Sequence, residues 1–335
     1  MKAVIPVAGI GARLRPHTHT QPKALVPVAG KPILSHIVDT LVEGGVTEFV
    51  FIIGYLGNKI ESFIQSNYEK SGINFTFVVQ QPREGIGQAL YFARQYLKDE
   101  KEVLIMLGDT VLNLNIHDFL KSDHTVLGVK KVDKPGNFGV AELDGKGNIK
   151  RLVEKPKIPK SNLALVGIYK ITNPKLLIEA SEFIIKNHIK TLGEYQLTDI
   201  LMHMLEKGER MTTYPVDNWY DCGRKKSLLE ANAILLNKPE FMIKSHKYPK
   251  TIIIPPVSIG PNCKISNSII GPYVAIGDNT IVNYSIIKDT IVGSFSELDF
   301  AVLDQSIIGN DTSLKGLSQS LNIGDNTELN FTNPA

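Results

Sequence analysis

The chain has little of several features that mark common protein classes. Its 335 residues include only two cysteines, Cys222 and Cys263, which form neither a disulfide framework nor a spaced metal-binding motif. No apolar run approaches the length of a membrane span, and Pro6, Gly9 and Arg13 interrupt any N-terminal signal sequence. The net charge of only +3 excludes a nucleic-acid-binding protein that relies on a bulk positive field. These absences predict a cytoplasmic globular protein that binds neither membranes nor nucleic acids.

Two familiar phosphate-binding loops are also absent. No glycine is followed, after four spacer residues, by the Gly-Lys-Ser/Thr string of a Walker loop. A Rossmann fingerprint needs a third glycine, where this chain has Leu14, and an acidic residue closing the second strand, where it has Gly54-Tyr55. The chain is therefore neither a P-loop ATPase nor a dehydrogenase. It also lacks a Ser-His-Asp or Cys-His set.

What the chain does contain is an apolar N-terminal run that leads into glycines and cations. Residues 4–7 are followed by Gly9 and Gly11, where missing side chains let backbone N–H groups approach an anion closely. Arg13 and Lys23 then add the forked and the compact positive charge that suit a polyphosphate. A Gly-x-Gly string alone would favour a turn beside a solvated basic surface. The two cations favour a phosphate site.

The first two thirds of the chain alternate apolar runs with helical patterns. The predicted strands cover residues 4–7, 49–53, 75–79 and 103–107, and the predicted helices cover 33–44, 57–66 and 87–98. This alternation predicts an α/β fold with a doubly wound, mostly parallel sheet, in which ligands bind at the carboxyl ends of the strands. Gly9, Gln80 and Gly108-Asp109 each follow a strand directly, so we expect them at that edge.

Beyond about residue 250 the pattern changes to a short repeat. Aliphatic positions predicted to face inward recur in steps of five or six residues, at 259, 265, 270, 276, 282, 287, 292, 298, 303, 308 and 314. This period is typical of a parallel β-helix, whereas a β-sandwich would show alternation with turns every 8–12 residues or so. The period breaks around Leu317–Leu329, where we expect a cap over the last coil.

The glycine-rich N-terminal segment resembles the signature of sugar-1-phosphate nucleotidyltransferases, also called NDP-sugar pyrophosphorylases. The matching positions are Gly9, Gly11, Arg13, Leu14, Lys23, Lys31 and Pro32. The resemblance implies that Ala8, Gly9 and Gly11 bind the nucleotide. It also implies that Arg13 and Lys23 act on the triphosphate. Several such enzymes carry a left-handed β-helix, so the resemblance spans nearly the whole chain.

Two further blocks resemble the nucleotide and metal sites of this family. Gln80 and Gly85 match the segment that binds the base, where an amide can both donate and accept. Gly108 and Asp109 close a strand, which alone is more often a turn than a site. Asp221 matches the family's second acidic position, although Cys222 stands where the family has threonine. The resemblance implies that Asp109 and Asp221 bind one Mg²⁺ ion.

The remaining blocks resemble the sugar site of the family. They contain Gly139, Glu154, Lys155, Asn162 and Gly167, in the family's order and spacing. Glu154 and Asn162 are suited to sugar hydroxyls, and Lys155 to the phosphate of the sugar. A later block with Glu194 and Asp199 fits either this site or the start of a helix.

The resemblance implies a catalytic domain at residues 1–240 and a left-handed β-helix at 250–330. The expected reaction converts a nucleoside triphosphate and a sugar-1-phosphate to an NDP-sugar and pyrophosphate, with UTP or dTTP and glucose-1-phosphate as the favoured substrates. A non-catalytic regulatory or sugar-nucleotide-sensing homologue is the alternative. Acyltransfer on the β-helix is disfavoured because no histidine follows His246. We expect the β-helix to serve assembly, as a homo-oligomer, or regulation.

Overall fold

The computed structural model describes residues 1–242 and 248–316. The chain divides into two compact units, the first at residues 1–235 and the second from residue 236 onward. The predicted cap at Leu317–Leu329, and with it the end of the predicted 250–330 domain, lies outside the described residues. Within the described ranges, no helix is long and apolar enough to cross a membrane.

The first unit is built on a nine-stranded mixed sheet with two short strand pairs beside it. Its strands are β1 (Lys2–Pro6), β2 (Pro27–Val28), β3 (Lys31–Pro32), β4 (Glu48–Ile53), β5 (Asn74–Val79), β6 (Val103–Met106), β7 (Thr110–Asn113), β8 (Thr125–Lys131), β9 (Gly139–Leu143), β10 (Ile149–Glu154), β11 (Leu163–Ile171), β12 (Met211–Pro215) and β13 (Asn218–Asp221). The four strands predicted from apolar runs are β1, β4, β5 and β6, and they pair in parallel. The predicted fold class is confirmed.

The sheet changes character beyond β6. Along the order β10-β9-β11-β6-β1-β4-β5, the pairs β6–β11, β11–β9 and β9–β10 are antiparallel. Strand β8 pairs antiparallel with β11 and parallel with β12, while β7 pairs with β13 outside the main sheet. The blocks predicted to bind the nucleotide therefore follow parallel strands, and those predicted to bind the sugar lie on antiparallel ones.

Helices cover the sheet and bury its apolar side chains. They are α1 (Ile33–Glu43), α2 (Gly57–Tyr68), α3 (Ile86–Ala93), α4 (Ile116–Leu120), α5 (Pro174–Lys186), α6 (Leu197–Glu206) and α7 (Lys225–Leu235). In α1 the buried residues Ile33, Ile37 and Leu41 recur at the spacing of one helical face. Asn173 is the N-cap residue of α5, and its side chain accepts a bond from the N–H of Leu176. Helices α3, α5 and α6 pack together over the main core.

The second unit is the predicted β-helix, formed by three parallel four-stranded sheets. They are β14 (Ile252–Ile253), β17 (Ile269–Ile270), β20 (Ile286–Ile287) and β23 (Val302–Leu303); β15 (Val257–Ile259), β18 (Val274–Ile276), β21 (Ile291–Val292) and β24 (Ile307–Ile308); and β16 (Lys264–Ser266), β19 (Ile281–Asn283), β22 (Glu297–Asp299) and β25 (Ser313–Lys315). Of the aliphatic positions counted from the sequence, Ile259, Ile308 and Leu314 are partly buried and pack against the core, and the others belong to it. Each coil of the left-handed β-helix stacks on the next, and the strands of successive coils pair in parallel.

Candidate active site

The first unit contains a cavity of about 910 Å³. Seven of the predicted site residues line it: Arg13, Asp109, Gly139, Glu154, Lys155, Gly167 and Asp221. They are spread along the unit's sequence from residue 13 to residue 221. The other predicted residues, Ala8, Gly9, Gly11, Lys23, Gln80, Gly85, Gly108 and Asn162, are not part of this lining. The fold therefore joins the predicted phosphate, metal and sugar blocks in one chamber.

Three charged side chains meet beyond the end of β6. The Nζ atom of Lys23 lies 2.6 Å from Oδ2 of Asp109 and 4.0 Å from Oδ1 of Asp221. Asp109 lies in the turn between β6 and β7, and Asp221 ends β13. Because β13 pairs antiparallel with β7, with Asp221 opposite Thr110, two carboxylates far apart in sequence become neighbours. The backbone N–H of Cys222 secures this arrangement by donating to the carbonyl of Asp109 at 3.0 Å.

The two carboxylates differ in their affinity for a proton. Burial alone would raise the pKa of Asp109, but the charges of Lys23 and Arg13 outweigh it and lower that pKa. Burial, followed by the negative charge of Asp109, raises the pKa of Asp221, and the same two cations offset this only in part. Asp221 is thus the poorly compensated member of the pair. A further cation beside it would stabilise its ionised form.

Gly223 lies at the same cluster, although the sequence analysis assigned it no role. A β-carbon at this position would lie 2.7 Å from Oδ1 of Asp221 and 3.1 Å from Nζ of Lys23. Its backbone N–H also donates to the Asp221 carboxylate. Only a glycine leaves room for the charges to converge here. Its position two residues after Asp221 was a signal, but the contact with Lys23 depends on the tertiary fold.

The predicted sugar side of the cavity is organised around Glu154. Its Oε1 lies 3.1 Å from Nζ of Lys155, and its Oε2 accepts a bond from Oγ1 of Thr198 at 3.1 Å. Pairing of β9 with β10 places Gly139 opposite Glu154, and a β-carbon there would lie 3.1 Å from Oε2. Lys155 itself has a positive φ of 38°, so its backbone is held in an uncommon conformation. A carboxylate and an ammonium group are thereby presented together at the cavity wall.

The start of α6 places a second carboxylate, that of Asp199, near Glu154. Asp199 accepts bonds from Oγ1 of Thr191 at 3.0 Å and from the backbone N–H of Gln196, the N-cap residue of α6. Its Oδ2 is buried and has no hydrogen-bond partner among the described residues. Burial, together with the charge of Glu154, raises the pKa of Asp199. Asp199 therefore stabilises the start of α6, whereas Glu194 lines the cavity.

A register shift in β11 shapes the floor of the cavity. The pairing of β11 with β8 is interrupted between Leu165 and Tyr169. Gly167 lies in this interruption with φ of +92°, and a β-carbon there would come within 2.9 Å of Oγ1 of Thr110. The positive φ and the close hydroxyl both require glycine. The apolar run of β11 gives no sign of this shift, although the sequence does contain the glycine.

The glycines predicted for the nucleotide fall into two physical classes. A β-carbon at Gly9 would meet no atom within 4 Å, so its backbone faces open space. Gly11 has φ of +68° and packs against the stem of Lys23. A β-carbon at Gly108 would overlap the side chain of Val7 and lie 2.8 Å from the carbonyl of Pro6. Gly9 is thus open to a ligand, whereas Gly108 is needed to pack the turn against β1.

The predicted base segment is tied to its own loop. Nε2 of Gln80, a buried residue, donates to the carbonyl of Gly85 at 2.9 Å and to Oε1 of Gln88 at 3.0 Å. Gly85 has φ of +110°, and a β-carbon there would overlap the carbonyl of Tyr195. Asn162 is exposed, and its carbonyl accepts a bond from the N–H of Val132 at 3.0 Å. The roles predicted for Gln80 and Asn162 in ligand binding stay predictions.

The chain is similar to known proteins in sequence and in fold. A family model described as nucleotidyl transferase matches residues 2–238. The chain is 31% identical over 275 residues to a glucose-1-phosphate thymidylyltransferase of Streptomyces antibioticus, covering 80% of this chain and 75% of that protein. It is 34% identical over 242 residues to the low-salt glycan biosynthesis nucleotidyltransferase Agl11 of Haloferax volcanii, covering 70% and 66%.

A third relative, the bifunctional protein GlmU of Methanocaldococcus jannaschii, is 39% identical over 258 residues, which cover 76% of this chain and 59% of that protein. The chain thus spans about two thirds or less of the length of Agl11 and GlmU. A solved Bacillus anthracis protein with bound sucrose, provisionally named a glucose-1-phosphate thymidylyltransferase, superposes with a TM-score of 0.62 at 29% identity, covering 71% of this chain and 96% of that one. A UDP-glucose pyrophosphorylase bound to UDP-glucose shares the fold, with a TM-score of 0.60, 23% identity and coverage of 70% and 97%.

Proposed function

This chain belongs to the nucleotidyl transferase family, and on that premise we propose that it joins a nucleoside triphosphate to a sugar-1-phosphate. One observation carries the proposal. A single cavity contains Arg13 and the Asp109–Asp221 pair together with the Glu154–Lys155 pair. Arg13 and Lys155, which suit two separate phosphate groups, thus face one chamber, and the carboxylates of Asp109 and Asp221 line the same chamber. Two phosphorylated substrates that must meet require this arrangement.

The proposed reaction needs no protein nucleophile. A phosphate monoester has a second pKa of about 6, so a sugar-1-phosphate is largely dianionic near neutral pH. One of its oxygens attacks the α-phosphorus of the triphosphate, forming a new P–O bond. The bond from the α-phosphorus to the bridging β-oxygen breaks, and pyrophosphate departs with the electron pair. The protein must align the two groups and neutralise the charge on the departing pyrophosphate.

The residues divide this work by position. We assign Arg13 and Lys23 to the triphosphate and Lys155 to the phosphate of the sugar. Glu154, held by Thr198 at 3.1 Å, is placed to accept bonds from sugar hydroxyls. Because Thr198 and Lys155 orient its two oxygens separately, Glu154 can retain one contact while accepting a substrate hydroxyl with the other.

The donor set at the phosphate end fits Mg²⁺. That ion is usually held by one or two carboxylates and completes its shell with water and substrate phosphate oxygens. Asp109 and Asp221 supply two such carboxylates, and Asp221 lacks full compensation by Lys23 and Arg13. When bound, Mg²⁺ would supply positive charge for the phosphate oxygens. No group of three or more potential metal ligands occurs in the described ranges.

Glucose-1-phosphate with UTP or dTTP is the substrate pair that we propose. One support is the relative from Streptomyces antibioticus, which is named a glucose-1-phosphate thymidylyltransferase. The other is the compact loop that Gln80 and Gly85 form at the end of β5. The test pairs each nucleoside triphosphate with a panel of sugar-1-phosphates and measures pyrophosphate release with Mg²⁺. Release that requires both substrates supports the proposal. Absence of release from every pair would leave the non-catalytic alternative.

The two lysines should give different kinetic defects. Lys23→Ala should raise the triphosphate KM and lower turnover, because it also removes the cation between two carboxylates. Lys155→Ala should mainly raise the KM for the sugar-1-phosphate, on the order of 10-fold or more, because a charged hydrogen bond is lost. Steady-state kinetics with each substrate varied in turn will separate them. The same defect in both variants would contradict the division into two phosphate sites.

Alanine substitutions at Gly9 and Gly108 should distinguish an effect on triphosphate binding from an effect on stability. Gly9→Ala should unfold at the parent temperature, because its β-carbon enters open space, but should raise the triphosphate KM roughly 10-fold or more by obstructing approach to the backbone. Gly108→Ala should lower the melting temperature, because its β-carbon meets Val7 and Pro6. Calorimetry and triphosphate titration check both. Unchanged KM for Gly9→Ala would remove Gly9 from the nucleotide site.

A further inference from the structure

Three consecutive cations, Arg224, Lys225 and Lys226, follow the carboxylate cluster at the start of α7. We call these three residues the basic run. All three are exposed, and Arg224 and Lys226 line the same cavity as the predicted site residues. The cations assigned to phosphates so far do not include them. The basic run thus brings positive charge without an assigned role into the substrate chamber.

The basic run lies at the triphosphate end of the cavity. It begins directly after Gly223, where a β-carbon would lie 3.1 Å from Nζ of Lys23 and 3.4 Å from Nη2 of Arg13. Burial and then the charge of Lys225 lower the pKa of His17, which places Lys225 near the loop that follows Arg13. The basic run therefore adjoins both the carboxylate cluster and the loop predicted to bind phosphate.

A tight turn holds the basic run beside Asp221. The hydroxyl of Ser227 lies within hydrogen-bond distance of the backbone carbonyls of Asp221 and Arg224, and Ser227 itself lines the cavity. The N–H of Leu228 donates to the carbonyl of Arg224 at 2.9 Å, so Arg224 directly precedes the first turn of α7. These bonds fix the backbone of the basic run relative to one of the two carboxylates assigned to Mg²⁺.

Helix stability does not explain three cations at this position. The backbone N–H groups of a first helical turn carry partial positive charge, so carboxylates are favourable there and cations are unfavourable. The first turn of α7 has no acidic residue. Glu230 lies four residues after Lys226, which is the less favourable order for a helical ion pair. Within the described residues, none of the three cations forms an ion pair. An anion in the cavity would compensate this charge.

The charge balance of the site indicates which anion this is. The two carboxylates assigned to Mg²⁺ are matched in number by Arg13 and Lys23, which lie close enough to act on their pKa values. A bound Mg²⁺ would add two positive charges, whereas a triphosphate brings about four negative charges near neutral pH. Two negative charges then remain, and the two cavity cations of the basic run, Arg224 and Lys226, match them.

We propose, on the basis of the proposed function, that Arg224 and Lys226 bind the terminal phosphates of the nucleoside triphosphate and then the departing pyrophosphate. In-line transfer requires the pyrophosphate to leave on the side of the α-phosphorus opposite the attacking sugar phosphate. The sugar phosphate is assigned to Lys155, so the pyrophosphate belongs at the end of Arg13, where the basic run lies. Arg224 supplies a fork that can bind two phosphate oxygens, and Lys226 supplies a compact charge.

Titration calorimetry of the full chain with pyrophosphate and Mg²⁺ tests the binding directly. The double variant Arg224→Ala/Lys226→Ala should raise the dissociation constant for pyrophosphate by about 100-fold, because two charge-assisted contacts are lost. Its dissociation constant for UDP-glucose or dTDP-glucose should equal that of the parent, because an NDP-sugar lacks the terminal phosphates. Equal binding of pyrophosphate by parent and double variant would overturn the proposal, as would equal weakening of both ligands.

The matched control is Lys134→Ala, because Lys134 also lines the cavity and forms no ion pair within the described residues. Its segment leads into β9, where Gly139 lies opposite Glu154, so it belongs to the sugar side. This variant should keep the parent dissociation constant for pyrophosphate. A loss as large as that of the double variant would show a general effect of cavity charge and would overturn the proposal.

Melting curves and two milder variants separate binding from folding. The melting temperature of the double variant should equal or exceed that of the parent, because cations at the first turn of α7 oppose the helix dipole. Arg224→Gln and Lys226→Gln keep a long polar side chain without the charge, and each should raise the dissociation constant for pyrophosphate by roughly 10-fold. Two single variants that bind pyrophosphate as the parent does would contradict the proposal.

Steady-state kinetics in both directions distinguishes a failure of this proposal from a failure of the proposed function. The double variant should raise the KM for the triphosphate in the forward reaction and for pyrophosphate in the reverse reaction, with the KM for sugar-1-phosphate unchanged. A raised KM for sugar-1-phosphate alone would place the basic run at the sugar and overturn the proposal. An active parent whose constants the double variant matches would contradict this proposal alone. A parent that releases no pyrophosphate from any substrate pair would contradict the proposed function itself.

Discussion

Asp221→Asn should lose at least about 100-fold in turnover and yet unfold at a higher temperature than the parent protein at pH 7, without added divalent cation. Turnover falls because the substitution removes one of two carboxylates assigned to Mg²⁺. Stability rises because burial and the charge of Asp109 raise the pKa of Asp221, so that keeping it ionised costs free energy in the folded state. An amide of the same shape carries no such cost.

The pH dependence of this gain follows from the direction of the shift. The pKa of Asp221 is higher in the folded than in the unfolded chain, so the protonated carboxyl favours folding at low pH and this contribution is lost as pH rises through the folded pKa. The cost of ionisation is therefore larger at pH 7 than at low pH. The difference in melting temperature between variant and parent should shrink as the pH approaches the ordinary value for aspartate, about 4.

Asp109→Asn is the matched comparison, with the opposite effect on stability. It should lose turnover similarly, but it should unfold at a lower temperature than the parent at pH 7. Lys23 and Arg13 lower the pKa of Asp109 despite its burial, so its ionised form stabilises the folded state. This contribution is present above the unfolded pKa and is lost as pH falls through the lowered folded pKa.

Pyrophosphate release and melting curves at several pH values test both variants. Asp118→Asn is the control, because Asp118 forms only an exposed ion pair with Lys121 and should change neither quantity appreciably. Near-parent turnover in either variant would remove that residue from the metal site. A lower melting temperature for Asp221→Asn at pH 7 would contradict the assigned repulsion.

The sequence predicted those parts of the fold that depend on local patterns. The apolar runs gave the parallel strands, of which β1, β4 and β6 are largely buried and β5 is the partly exposed edge strand. All four lie within one or two residues of the prediction. The hexapeptide period identified the inward positions of the β-helix because each coil places its residues in the same register. Residues from the predicted phosphate, metal and sugar blocks line one cavity, whereas Gln80 and Gly85 of the predicted base block do not.

What the sequence did not predict depends on contacts between distant segments. The pairing of β7 with β13, which joins Asp109 to Asp221, links short strands without a strong apolar pattern. The bond from Thr198 to Glu154 spans two elements that no local rule connects. Gln80 was expected to present its amide to a base, but whether an amide faces a ligand or its own loop depends on the fold of the following turn. Sequence motifs identify such residues, but they do not identify the residues that contact them in the fold.

Gly223→Ala is expected to lower turnover by roughly 100-fold with little change in melting temperature. The alanine methyl group would lie 2.7 Å from Oδ1 of Asp221, 3.1 Å from Nζ of Lys23 and 3.4 Å from Nη2 of Arg13. The carboxylate of Asp221 must therefore move, and the ammonium group of Lys23 must shift by a few tenths of an ångström. Side chains at a cavity wall can do so with little loss of core packing, but the carboxylate pair then loses the geometry that suits a divalent cation.

The matched control for this variant is Gly145→Ala, where a β-carbon would meet no atom within 4 Å. It should keep both turnover and melting temperature. A titration with Mg²⁺ identifies the cause, because a displaced Asp221 should raise the concentration that gives half-maximal rate, whereas a defect confined to the sugar side would not. Parent-like turnover and Mg²⁺ dependence in Gly223→Ala would show that the convergence of Lys23 and Asp221 at this glycine does not matter for the reaction.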